Sequence, residues 1–234
     1  MSEYKLIIDG ELVDGAREMD VINPATGTSF TKCPVADEAQ LNQAVAAAKA
    51  AFPAWSAKTQ DERAALVNQI ADTLQAQSED LARLLTSEQG KPLDQAKMEL
   101  MASMFTLKVF AYMRLEPKTI SENEKARIYE IRKPLGVVAA ITPWNFPMMM
   151  AVHKIGPALI TGNTVVIKPA PTTPLTTLKF VEICNAILPA GVVNVICDEN
   201  DLGGALTNHP DVAKITFTGS TATGKKVMEA ASRA

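Results

Sequence analysis

In the second half of the chain, apolar positions gather into short β-branched runs at residues 136–141, 164–167, 192–196 and 213–217, separated by stretches that suit helices. Four repeats of strand then helix predict a parallel sheet with right-handed crossovers. This is an α/β, Rossmann-like architecture that presents loops at the carboxyl ends of its strands. Residues 134–152 carry no charge, but Pro143, Asn145 and Pro147 at their centre would deprive a membrane helix of backbone hydrogen bonds that lipid cannot replace. A buried strand, a turn and a helix are predicted there, and no membrane partner.

The first half follows other periods. Lys5 to Ile8 and Glu11 to Val13 flank Asp9-Gly10, a pair that tolerates the positive φ angles of a primed turn, so a hairpin is predicted. Asn23-Pro24-Ala25-Thr26-Gly27 reads as a second turn. Helices are predicted from about Asp37 to Phe52, after Thr59, which forms a capping box with Glu62, and from near Ser78 to a stop at Gly90. Pro92 opens another, in which Leu93, Ala96, Leu100, Met104 and Leu107 make a core stripe, with Met101 and Met104 able to line a pocket if one abuts the helix. Ile128 and Ile131 alternate with charges, which suits an exposed strand or arm. The expected organisation is a hairpin and helical part of the cofactor-binding domain over 1–117, an oligomerisation arm over 118–134 and an incomplete Rossmann-like core of that domain over 135–234.

Composition narrows the function classes. With 234 residues, 47% hydrophobic and 21% charged, the chain is long enough to bury a substantial core. A net charge of −3 and the lack of a dense Lys/Arg run argue against nucleic acid as a partner. Met1-Ser2-Glu3-Tyr4-Lys5 lacks the basic and apolar regions of a secretory signal. Cys33, Cys184 and Cys197 have no CxxC spacing, and only His153 and His209 accompany them, so neither a disulfide framework nor a metal site is expected. A reducing, cytoplasmic setting fits these features.

Three loops at the predicted carboxyl ends carry the chemistry. In Thr142-Pro143-Trp144-Asn145-Phe146-Pro147, prolines fix the backbone on either side of an amide that could donate to a developing oxyanion. Lys168-Pro169-Ala170-Pro171 offers a lysine to ribose hydroxyls or a phosphate. Thr218-Gly219-Ser220-Thr221-Ala222-Thr223-Gly224 is a strand-to-helix turn whose free N–H groups and helix dipole favour an anion such as pyrophosphate. No GxGxxG follows the first strand, so a nucleotide would be held by other means. Taken singly, each loop has a structural explanation: a proline-rich connection, a solvated lysine, an ordinary helix start.

Their order and spacing, with Asn23-Pro24-Ala25-Thr26-Gly27 and Gly162-Asn163-Thr164-Val165-Val166-Ile167-Lys168-Pro169, resemble the aldehyde dehydrogenase superfamily over essentially the whole chain. The resemblance implies NAD or NADP as cofactor and a small-molecule aldehyde as substrate. It implies that a cysteine thiolate attacks the aldehyde, hydride passes to the nicotinamide, and a glutamate-activated water hydrolyses the thioester. Asn145 would be the catalytic oxyanion donor. Cofactor contacts would come from Ile141, Thr142, Trp144, Asn145, Lys168, Pro169, Ala170, Pro171, Gly203, Gly219, Ser220, Thr221 and Gly224. Met149 and His153 would shape the substrate channel.

The family often has a glutamate three residues after this lysine, where this chain has Pro171. Without that carboxylate to bond the 2′-hydroxyl and repel a 2′-phosphate, NADP is expected to be tolerated. The family's Glu-Leu-Gly-Gly and Gly-Gln-x-Cys stretches do not occur, and none of the three cysteines has the nucleophile's context. The chain therefore reads as a truncated cofactor-binding portion without the catalytic domain, inactive alone and part of a homo-oligomer (dimer or tetramer) when complete. A coenzyme A-acylating relative and a non-catalytic dinucleotide-binding or interaction module remain open.

Overall fold

The structure, a computed structural model, describes residues 3–233. Strands β1 (Leu6–Ile8) and β2 (Glu11–Val13) close over Asp9 at φ 53° and Gly10 at φ 83°, the primed turn that Asp-Gly predicted. A second antiparallel pair, β3 (Arg17–Asn23) and β4 (Thr28–Val35), flanks the Asn23–Gly27 turn. Sequence reasoning found that turn but not its strands, because β3 buries only Met19 and Val21 among charged neighbours.

Four helices follow. α1 (Glu38–Ala57) begins with a capping box on Asp37 and runs past the predicted end at Phe52, since Pro53 lies in its closing turns and Trp55 anchors that end in the core. α2 (Gln60–Ala76) starts at the predicted Thr59–Glu62 box, and α3 (Ser78–Gln89) stops at Gly90 with φ 87°. α4 (Leu93–Tyr112) buries Ala96, Leu100 and Leu107 of the predicted stripe and packs Leu93 and Met104 at its margin. Met101 is 61% exposed and lines no pocket described below. Residues 118–130 form a separate exposed hairpin, β5 (Lys118–Glu122) with β6 (Arg127–Glu130), where the arm was expected.

The alternating part then runs β7 (Val137–Ile141), α5 (Pro147–Ile160), β8 (Thr164–Lys168), α6 (Leu175–Ile187), β9 (Val193–Val195), α7 (Gly203–Thr207), β10 (Val212–Phe217) and α8 (Thr221–Ala231). β10, β7, β8 and β9 are parallel, and the sheet order is β10-β7-β8-β9-β1-β2. The amino-terminal hairpin extends the same sheet, Ile7 pairing antiparallel with Val195. β7 and β8 are buried along their whole length, as a sheet covered on both faces requires. One apolar cluster runs through both halves, from Leu6 and Trp55 to Val166 and Phe180. Among the described residues, no helix is long and apolar enough to cross a membrane.

Candidate functional site

Because β10, β7, β8 and β9 are parallel neighbours, the segments leaving their carboxyl ends stand in a row. Their roots continue the sheet's ladder: Thr218 N–H donates to Ile141 C=O (3.1 Å), Thr142 N–H to Lys168 C=O (3.2 Å) and Ile196 N–H to Ile167 C=O (3.1 Å). Above them opens a cavity of about 970 Å³. Of the residues singled out from sequence, Ile141, Thr142, Trp144, Asn145, Lys168, Ala170, Gly203, Gly219 and Ser220 line it. The three predicted loops therefore do meet in one place.

Other candidates lie elsewhere. Pro169 is buried beneath its loop, and Pro171 borders a neighbouring cavity of about 780 Å³ that shares Trp144. Thr221 and Gly224 sit on α8 beside the lining, Gly224 close to the Phe217 ring. Met149 and His153 do not line either cavity. Met149 gives its N–H to Glu99 Oε1 (3.1 Å), and His153 is exposed, its ring edge-on to Phe110 at 6.3 Å. Of the three consecutive methionines, Met148 is fully buried while Met149 and Met150 are half-buried.

A fourth segment was foreseen only at Gly203. Asn200, Gly204, Thr207 and Asn208, between β9 and β10, line the cavity, as do Thr223, Lys226 and Val227 of α8. The polar run Asp198-Glu199-Asn200-Asp201 directly after a strand was the available signal.

That segment also corrects the picture of Lys168. Its ammonium is neither solvated nor without a carboxylate: Nζ lies 2.6 Å from Asp198 Oδ1, with both side chains almost wholly buried. Asp198 Oδ2 accepts from Leu202 N–H (3.0 Å) at the start of α7. Asn200, in the left-handed region at φ 68°, folds the loop back. Arg17 fastens its outside, with one nitrogen 2.9 Å from Glu199 Oε2 and the other 2.7 Å from Asp201 Oδ2.

The Asn145 loop is clamped from α4. Lys91 is ion-paired with the buried Glu99, donates to Asn145 C=O (3.0 Å) and stands 4.3 Å from the Phe146 ring centroid. α5 has Pro147 at its start and no side-chain cap of its own. Glu99, accepting from Met149 N–H, takes the capping role from another helix.

Two features suit the cavity to an anionic, polar ligand. Thr142 Oγ1 is buried in its wall and has no hydrogen-bond partner among the described residues, which a ligand polar atom would relieve. At α8, the Ser220 hydroxyl accepts from Thr223 N–H (3.2 Å), and the N–H groups of the intervening first turn have no intrahelical acceptor. Behind this wall, Lys154 donates to Thr218 Oγ1 (2.9 Å), and burial pulls its ammonium pKa down to about 8. All three cysteines are fully buried and none lines the cavity; the neighbouring Cys197 and then burial push the Cys33 thiol up, and burial pushes the Cys184 thiol up.

A parallel sheet whose strand ends converge on one cleft defines a Rossmann-like α/β fold. The profile of the aldehyde dehydrogenase family matches residues 12–234, and the chain belongs to that family. It is 40% identical over 208 residues to aldehyde dehydrogenase LUC3 of a Fusarium species, covering 89% of this chain and 44% of LUC3. The structure of PnpE from Pseudomonas sp. WBC-3 is similar with 42% identity and a TM-score of 0.94, over 99% of this chain and 49% of PnpE. An NADP-dependent enzyme of E. coli gives 39% identity and a TM-score of 0.95, over 99% of this chain and 50% of that one. The chain spans about half the length of the curated relatives it matches.

Proposed function

We propose that the chain is the cofactor-binding portion of an NAD(P)-dependent aldehyde dehydrogenase that oxidises an aldehyde to a carboxylic acid. The observation that carries this reading is the convergence of Asn145, the partnerless Thr142 hydroxyl and the α8 amino terminus on one cavity. PnpE has been crystallised with nicotinamide adenine dinucleotide, which supports the same cofactor here. The residues present fit such a group: the first turn of α8 and Ser220 would hold the pyrophosphate, Lys168 and the α7 segment the ribose, and Ile141 and Trp144 the flat faces. When bound, the nicotinamide would accept the hydride.

The chain's own contribution to the chemistry is Asn145, whose amide would donate to the oxyanion formed when a thiolate attacks the aldehyde. Met149 and His153, outside the cofactor cavity, would border the aldehyde's approach. A thiolate nucleophile is not among the cavity-lining residues, so these 234 residues are proposed not to oxidise aldehydes by themselves. The complete enzyme is proposed to be a cytoplasmic homo-oligomer, with the β5–β6 hairpin as its arm.

Incubation with NAD and a panel of aldehydes tests the division of labour. The expected result is no aldehyde-dependent absorbance of reduced cofactor. Reduction that a thiol reagent abolishes would show that one of Cys33, Cys184 or Cys197 acts as nucleophile. In an assembly that supplies the thiolate, Asn145→Ala is expected to lower kcat by about 10²–10³-fold and to leave the dissociation constant of NAD within about twofold.

A further inference from the structure

The buried pair of Lys168 and Asp198 decides how the cavity treats the 2′ position of a bound adenosine ribose. We propose that Asp198 is a positioning residue that makes the site select NAD over NADP, supplying from the β9 loop the carboxylate that Pro171 does not provide. This inference rests on the reading of the cavity as the dinucleotide site.

Lys168 and Gly203 both line the cavity, and a Cβ on Gly203 would lie 3.8 Å from Lys168 Cε, so the lysine stem forms wall on the α7 side. Lys226, the other lysine of the lining, stands on α8, which packs beside α7. Of these two lysines Lys168 is the one held in an ion pair among the described residues: Asp198 holds it at 2.6 Å with its own side chain fully buried. The second Asp198 oxygen is engaged by Leu202 N–H just before α7, so the carboxylate cannot swing away without losing that bond.

A ribose diol needs only neutral hydrogen bonds, and an ammonium has three protons, of which Asp198 takes one and Pro169 C=O, at 3.5 Å, a second, leaving one for the ribose. A 2′-phosphate is different. It brings a charge of about −1.5 to −2 near neutral pH to a place where Lys168 is already neutralised. Drawing Lys168 toward the phosphate would leave Asp198 as a buried charge without its partner, the arrangement that buried pairs resist most strongly. Leaving the pair intact gives the phosphate no attraction from Lys168 to offset its loss of water. Arg17, the cation on the outside of the same loop, is already bridged between Glu199 and Asp201. The absence of a carboxylate at Pro171 therefore does not open the site to NADP.

Trp144, half-exposed in the cavity wall, reports binding by fluorescence, while Trp55 is buried elsewhere in the core. Titrating the chain separately with NAD and NADP is expected to give an NADP dissociation constant at least about tenfold larger. Asp198→Asn keeps an acceptor for Leu202 N–H and releases the lysine; it is expected to tighten NADP at least about fivefold and change NAD by less than about threefold. Lys168→Met in that background is expected to cancel the gain. A merely structural role for Asp198 would weaken both cofactors together and never improve one. Equal affinity of the unaltered chain for NAD and NADP, a ratio read without any variant, overturns the proposal, as does a ratio that Asp198→Asn leaves unmoved. Binding of neither dinucleotide overturns the cofactor assignment, and this inference with it.

Discussion

Lys154 is buried against two threonine hydroxyls, with Thr216 and Thr218 Oγ1 as its acceptors at 3.4 and 2.9 Å. Its folded pKa, about 8, lies below the model-peptide value of about 10.4 for lysine. Stability linked to this group is therefore present above the unfolded pKa and lost as pH falls through the folded one, so the full penalty applies at pH 7. Lys154→Met is expected to raise the unfolding free energy by about 1 kcal/mol at pH 7, after allowance for solvent screening, and by less at pH 10. Urea titrations at the two pH values check this; an equal gain at both would contradict it. Single residues were also where the sequence was most informative and most misleading. Asn145 and Lys168 were legible because each sits in a local pattern of prolines or at a strand end. Asp198, Lys91 and Glu99 were not, because what they do depends on partners 30 or more positions away or on another helix's end. Nothing in the neighbourhood of Lys168 in sequence announces the carboxylate that neutralises it.

Helix boundaries were legible wherever a side chain or a glycine ends the hydrogen-bond pattern locally. Thr59 with Glu62, and Gly90 at φ 87°, mark their helix ends without tertiary help. Thr59→Ala is expected to lower stability by about 1 kcal/mol in a denaturant titration, since it removes the hydroxyl that accepts from Glu62 N–H. Gly90→Ala faces both a left-handed backbone and a Cβ position 2.6 Å from Pro24 Cγ. A loss of about 1–2 kcal/mol is expected, larger than for Thr59→Ala. A smaller loss would mean that the Asn23–Gly27 turn can shift away from α3. β3 and β4 escaped notice because their strand character comes from pairing with each other, which the alternation in β3 signals only at Met19 and Val21. The continuation of α1 through Pro53 likewise depends on Trp55 finding a place in the core.

At the scale of the whole molecule, the sheet's composition was readable in its four parallel strands, but its extent was not. The order β10-β7-β8-β9-β1-β2 joins the two ends of the chain's pattern through a single antiparallel pairing of Ile7 with Val195, which no local signal marks. The surface carries apolar side chains on the arm: Ile120, Ile128, Tyr129 and Ile131 are each more than half exposed. β10 also stands at the sheet's edge. Such edges favour pairing with other chains, so concentration-dependent self-association is expected in sedimentation velocity, reduced when residues 118–133 are replaced by a short Gly/Ser linker. A monomer across the concentration range would contradict this. The cleft itself is a property of the assembled sheet, since it exists only because four strand ends stand side by side. Its occupancy by a dinucleotide is the central claim, and calorimetric titration of NAD into the chain and into Gly203→Val tests it most directly. Gly203 has room for a Cβ in the fold, but added side-chain volume there protrudes beside Lys168 into the cavity. Saturable one-to-one binding of NAD that Gly203→Val weakens at least about tenfold, with an unchanged Tm, is the expected result. Absence of NAD binding, or binding that Gly203→Val leaves untouched, would contradict the account.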